Sequence, residues 1–199
     1  MPRVSRLVPL LGVCVAVLSP GCRTAAPPAE AAPTPAATAG AADTTPADVR
    51  FLRDMIGHHA QALVMTALVP ARTAQPDLRL LAERIDVSQR DEIAMMGQLL
   101  RKRGVTPPSI EHAAHGMMDH MPGMLTEAEL TRLREARGPD FDQLFLESMI
   151  RHHEGALTMV ARLLASRGGT ADTEIYRLAA DVDADQRAEI ARMRGLLTR

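Results

Sequence analysis

After residue 46 the hydrophobic positions recur at helical spacing, not at strand alternation. In Phe51-Leu52-Arg53-Asp54-Met55-Ile56-Gly57-His58-His59-Ala60-Gln61-Ala62-Leu63, the apolar residues gather on one face and the charged ones fall outside it. The pattern returns as Phe145-Leu146-Glu147-Ser148-Met149-Ile150-Arg151-His152-His153-Glu154-Gly155-Ala156-Leu157. A second pattern, Gln89-x-x-Glu92-Ile93-x-x-Met96, also returns, as Gln186-x-x-Glu189-Ile190-x-x-Met193. His152 follows His58 by 94 residues and Gln186 follows Gln89 by 97, so the second half carries three extra residues between its helices. Each half therefore reads as helix, short loop, helix, and the chain as an internal duplication.

Punctuation residues set the expected boundaries. Pro46-Ala47-Asp48 opens the first long helix and Val69-Pro70 closes it; Pro76-Asp77 opens the second, which runs to Gly104. Thr126-Glu127-Ala128-Glu129 is a capping box for a short connecting helix ended by Gly138-Pro139. The third long helix starts near Asp140 and stops at Gly168-Gly169, and Asp172 or Thr173 opens the fourth. Two antiparallel hairpins with inward apolar stripes pack as a four-helix bundle. The halves span 47–104 and 140–199, joined by a Met/His-rich crossover connection over 105–139.

At about 100° per residue, His58 and His59 both fall within roughly 60° of Met55, on the core-facing stripe. His152 and His153 stand in the same relation to Met149. On the partner helices Glu92 and Glu189 share the arc that carries Ile93 and Ile190, with Glu92 at its polar edge. Four helices thus aim His-His, Glu, His-His and Glu inward in pseudo-two-fold register. A buried imidazole or carboxylate is costly unless paired, and here the arrangement occurs twice.

Composition supports helices. Aromatics make up 2% of the chain and there is no Trp. A core rich in Ala, Leu and Met favours helix over sheet. A formal net charge of -1 gives no basic field for nucleic acid. Both cysteines, Cys14 and Cys22, precede the helical region, which therefore has no thiolate site and no disulfide. Residues 1–21 read as an export signal, with Arg3 and Arg6 ahead of the apolar run Leu7 to Leu18. Leu18-Ser19-Pro20-Gly21-Cys22 resembles a lipoprotein cleavage site, which would lipidate Cys22 and anchor the chain to a membrane. Residues 22–46 are an Ala/Pro/Thr tether, unable to bury a core.

All 7 histidines lie in three clusters, and methionine is abundant at 12. Two clusters are the inward pairs, which with Met55, Met149, Glu92 and Glu189 offer nitrogen, thioether and oxygen donors. The third lies in the connection: His112, His115, Met117, Met118, His120, Met121 and Met124, a Pro/Gly-broken segment. Imidazole suits copper and other transition metals, and thioether selects Cu(I). Against this stand ordinary readings: methionines as core filler, and the histidine pairs as a structural polar network.

Paired Phe-x-x-x-Met-Ile-x-His-His-x-x-Ala motifs with Gln-x-x-Glu-Ile-x-x-Met partners resemble a bacterial family of secreted domains of unknown function. The resemblance covers residues 47–199. It implies a ferritin-like four-helix bundle and, because one member is a periplasmic copper-binding protein, copper as the metal. The resulting expectation is a cell-envelope protein that sequesters or handles copper without catalysing a reaction. Two alternatives stay open. One is a ferritin-like redox enzyme with a core His/Glu metal centre, although no Glu-x-x-His stands in the four long helices. The other is an envelope interaction module whose histidine pairs are structural.

Overall fold

A computed structural model describes residues 44–110, 121–166 and 171–198, all within one compact unit, Ala37–Arg199. The leader, Cys22, most of the tether and the segment 111–120, with His112, His115, Met117, Met118 and His120, lie outside the described residues.

Six helices are described: α1 Pro46–Thr66, α2 Val69–Arg72, α3 Pro76–Lys102, α4 Glu127–Glu135, α5 Gly138–Ala165 and α6 Thr173–Leu197. Thr45 caps α1 in a full capping box with Asp48, and Thr126 caps α4 with Glu129 as its sequence implies. Asp172 accepts from the backbone N–H groups of Glu174 and Ile175 at the start of α6. Gly104 stops α3 in the left-handed conformation, φ 71°, while Val105 N–H reaches back to Leu100 C=O. Two boundaries differ from expectation. The first long helix closes at Thr66, and Val69-Pro70 begin the single-turn α2, because Pro in the first turn of a helix costs no intrahelical hydrogen bond. The third long helix begins at Gly138, with Pro139 in its first turn.

In the bundle α1 packs against α3 and α5, and α6 against α5 and α3. The end of α3 meets the start of α6, where Arg103 pairs with Asp172 and Lys102 with Glu174. Phe51, early in α1, shares a cleft of about 280 Å³ with Met159 and Leu163, late in α5. Both neighbour pairs, α1/α5 and α3/α6, are therefore antiparallel. The run is up-down-down-up, the ferritin-like order with one long connection, which joins the end of α3 to the start of α5.

A pseudo-two-fold axis consequently crosses the bundle at right angles to its helices. Seven residues on from Phe51 is His58, and seven back from Met159 is His152, so the two stand level. Fourteen residues back from Arg103 is Gln89, and fourteen on from Asp172 is Gln186, so these are level too. The apolar core falls into two clusters at opposite ends, one including Phe51, Met55, Met96, Leu100, Leu163 and Val182, the other Met65, Ile85, Phe141, Phe145, Met149 and Met193. The repeated polar residues occupy the level between them.

Candidate metal centre

Why each side chain reaches this layer follows from helix spacing. His58 and His59 are adjacent on α1, so they diverge by about 100°: one turns toward α5, the other toward α3. The His58 ring lies against the His152 ring, centroids 3.8 Å apart and planes 35° apart. His59 bonds through Nε2 to Glu92 on α3, and His153 makes the equivalent bond to Glu189 on α6, 2.7 Å long. The four histidines are at most 1% exposed and the two glutamates 4% and 5%. Glu92 is thus an interior residue and not one at a polar edge.

The connection closes over one side of this layer. His58 Nε2 donates to the Pro122 carbonyl at 3.0 Å, which leaves Nδ1 as the acceptor nitrogen. Gln61 holds Leu125 by a reciprocal pair, Nε2 to the Leu125 carbonyl at 2.9 Å and Leu125 N–H to Oε1 at 2.8 Å. Gly155 on α5 and Gly123 (φ 78°) allow the close approach: a Cβ on Gly155 would collide with the Pro122 carbonyl, and one on Gly123 with the Arg151 carbonyl.

Much of the layer's polar capacity is unused. The Nδ1 atoms of all four histidines, Nε2 of His152, Oε1 of Glu92 and both amide atoms of Gln89 and of Gln186 are buried without a hydrogen-bond partner. Unpartnered buried polar atoms are rare enough that each calls for an explanation by water, ion or function. Burial pushes the His58 imidazole down to about 3, helped by repulsion from His59; burial and then the neighbouring His58 and His153 push His152 well below its usual value. Both rings are therefore uncharged, with lone pairs available to a cation. Asp185, exposed on α6, is raised by partial burial and then by repulsion from Glu92, Glu189 and Asp181, with Arg192 opposing.

The sequence candidates divide into three groups. The structure brings His58, His59, His152, His153, Glu92 and Glu189 together. Met55 and Met149 are fully buried but in opposite apolar clusters, so they pack as core and do not face one another across the layer. Met121 packs against the core and Met124 is 9% exposed, which makes the described end of the Met/His segment part of the packing instead of a free loop. Among the described residues no three His, Cys, Asp or Glu side chains are arranged to hold a metal ion as they stand. Gln89 and Gln186, which the sequence showed only as part of the repeated pattern, are also buried here, at 0% and 1% exposure; their recurrence at equivalent places in both halves was the available signal.

Comparison with known proteins adds the following. The family model of the domain of unknown function DUF305 matches residues 48–197. A DUF305 fragment from Deinococcus radiodurans is 38% identical with a TM-score of 0.66, over 78% of this chain and 97% of that one. A candidate secreted DUF305 protein from Streptomyces coelicolor is 33% identical, TM-score 0.65, over 79% and 94%. CopM in its Cu(II)-bound form is 29% identical, TM-score 0.60, over 75% and 94%; its Cu(I)-bound form is 27% identical, TM-score 0.59, over 76% and 95%. An uncharacterised protein of Acanthamoeba polyphaga mimivirus is 38% identical over 56 residues, 28% of this chain and 37% of its own length.

Proposed function

The chain belongs to the DUF305 family, a domain of unknown function, and from that premise we propose that it is an exported protein that binds copper and sequesters or passes it on in the cell envelope. The observation that carries this reading is the uncharged, buried imidazole pair His58/His152, in which Nδ1 of His58 and both ring nitrogens of His152 have no hydrogen-bond partner, in a fold similar to copper-bound CopM. The donor set fits copper in kind: imidazole accepts either oxidation state, and thioether favours Cu(I).

Two groups of ligands serve this role. The first is the Met/His segment His112, His115, Met117, Met118 and His120, continued by Met121 and Met124, a set of imidazole and thioether donors in the connection between the two hairpins. The second is the histidine layer, with Glu92 and Glu189 orienting His59 and His153 by hydrogen bonds from the second ring nitrogen. Export rests on the leader pattern of residues 1–21 and on the likeness to a candidate secreted relative. Lipidation of Cys22 would leave the bundle on the tether 23–46 at a membrane surface. No helix among the described residues is long and apolar enough to cross a membrane.

Equilibrium dialysis of the full chain against Cu(I), Cu(II) and Zn(II), beside a variant lacking residues 111–120, tests the proposal. The full chain is expected to bind Cu(I) below micromolar concentration, with the deletion removing most of the Cu(I) capacity. An intact chain that binds neither copper state in that range refutes the function.

A further inference from the structure

We propose that the outward face of α3 joins two copies of this chain in a symmetric dimer, the two α3 helices lying antiparallel along Leu80, Val87 and Met95. This goes beyond metal binding and does not depend on it.

At about 100° per residue these three side chains fall within roughly 80° of one another, on the side of α3 away from buried Leu78, Ile85, Gln89 and Met96. They are 50%, 55% and 44% exposed. A single exposed hydrophobic residue is ordinary on a protein surface. Here three of the seven large ones exposed among the described residues stand in one line. The internal duplication supplies the control. α6 is the repeat of α3, 97 residues on, and takes the equivalent place in the bundle. At the same three positions it carries Arg177, Ala184 and Arg192, all exposed. The two helices otherwise agree, inward in Gln-x-x-Glu-Ile-x-x-Met and outward in the ion pairs Asp86–Arg90 and Asp183–Arg187. A helix in this place therefore folds with arginine or alanine at these positions, and the bundle does not call for the apolar stripe on α3.

Charge selects the partner. Arg84 and Asp91 lie exposed in the same stripe, and neither forms an ion pair among the described residues, whereas their neighbours Asp86 and Arg90 pair with each other. Leu80, Arg84, Asp91 and Met95 are spaced by four, seven and four residues, an order that reads the same from either end. Laid antiparallel on a second copy, about a two-fold axis beside Val87, the row sets Leu80 against Met95 of the other copy and Arg84 against its Asp91. The symmetry makes each contact twice. A parallel pairing would set Arg84 on Arg84 and Asp91 on Asp91, a repulsive arrangement. α6 offers no such pattern, with Asp181 and Ala188 in place of Arg84 and Asp91. A row that is its own complement on reversal is what a two-fold self-contact requires, and a patch for an unrelated protein has no need of it. The seam is roughly 22 Å long, shorter than a standard interface needs, so the dimer is a weak one, with a Kd on the order of 10–100 μM.

Sedimentation equilibrium of the full chain tests this, in EDTA and a reducing agent so that neither a bridging metal nor Cys14 or Cys22 can join two copies. Monomer should pass to dimer as the concentration rises from about 1 μM to about 1 mM. Arg84→Asp alone, or Asp91→Arg alone, brings like charges together and should weaken dimerisation by about tenfold or more with helicity unchanged by circular dichroism. The double variant Arg84→Asp/Asp91→Arg restores opposite pairs and should dimerise as the parent does. Asp181→Arg, the equivalent change on α6, should have no effect. A parent that stays monomeric throughout overturns the proposal, as does a dimer that survives the single variants or is not restored by the double one. Two of these monomeric outcomes identify another occupant: a dimer appearing only on deletion of residues 111–120 gives the face to that segment. Flotation of the monomer with phosphatidylcholine vesicles, lost in Leu80→Ser/Val87→Ser, gives it to a lipid surface. Copper uptake is read separately by dialysis, so failure of either proposal leaves the other standing.

Discussion

At the scale of single residues, His58 and His152 tie stability to pH. Burial depresses both in the folded state, so the unfolded chain takes up protons at these two positions below about pH 6.5 while the native His58 ring stays neutral until about 3 and His152 is likewise held well below its usual value. Stability from these groups is complete above the unfolded value and falls as the pH drops, by up to about 1.4 kcal/mol per pH unit for each ring. Urea unfolding of the metal-free protein at pH 7 and pH 5 should show a clear drop in midpoint, and His152→Leu should flatten that dependence. Removing a partner has a different signature. His59→Ala leaves the Glu92 carboxylate buried and unpaired, a loss of about 3–5 kcal/mol, measurable as a lowered denaturation midpoint at neutral pH. Helical spacing made the inward direction of these histidines legible in the sequence, because the apolar residues around them define the buried face. It did not reveal which histidine faces another histidine and which faces a glutamate. That depends on helix adjacency, which periodicity does not encode.

At the scale of elements, the connection is where sequence and structure diverge most. Its capping box and short helix were readable from Thr126 and Glu129. Its crossover course was expected from the ferritin-like pattern, but where it docks was not readable, since a long connection can lie against any of several helix faces. Packing decides: Pro122 to Leu125 dock across the middle of α1 and α5 through His58, Gln61 and Gly155. Gly155→Ala places a methyl group against the Pro122 carbonyl and should cost about 1–3 kcal/mol, with His58 losing its bond to that carbonyl. Gln61→Ala leaves both polar groups of Leu125 buried and unmet, at roughly 2–4 kcal/mol. Chemical denaturation measures both, and a Gly155→Ala protein as stable as the parent would contradict the close approach. At the far end Asp172 combines two tasks, cap of α6 and partner of Arg103. Asp172→Asn keeps the cap and breaks the ion pair, so it should fall between the parent and Asp172→Ala in melting temperature.

At the scale of the whole molecule, neither hairpin is self-sufficient. Each apolar cluster draws on all four long helices, Phe51 and Leu163 from α1 and α5 with Leu100 and Val182 from α3 and α6. An isolated fragment 47–104 should therefore lack a cooperative thermal transition by circular dichroism, whereas the two halves mixed should recover helicity if the level contacts suffice for association. The duplication itself was plain in the sequence, because Met-Ile-x-His-His and Gln-x-x-Glu-Ile-x-x-Met recur whole. Its geometric meaning was not, since a repeat offset says nothing of where an axis lies. The Pro122 carbonyl bears on that symmetry. Two identical hairpins meeting across a dyad would set each central histidine against its own copy, every environment duplicated. One covalent chain can cross such a dyad only once, and here it leaves its carbonyl on His58 alone. The ancestral-looking equivalence of the two rings is thereby broken: one imidazole is tethered to the backbone, and the other, His152, keeps both nitrogens free. A rotation of the His152 ring would break no hydrogen bond, whereas a rotation of the His58 ring must first release the Pro122 carbonyl.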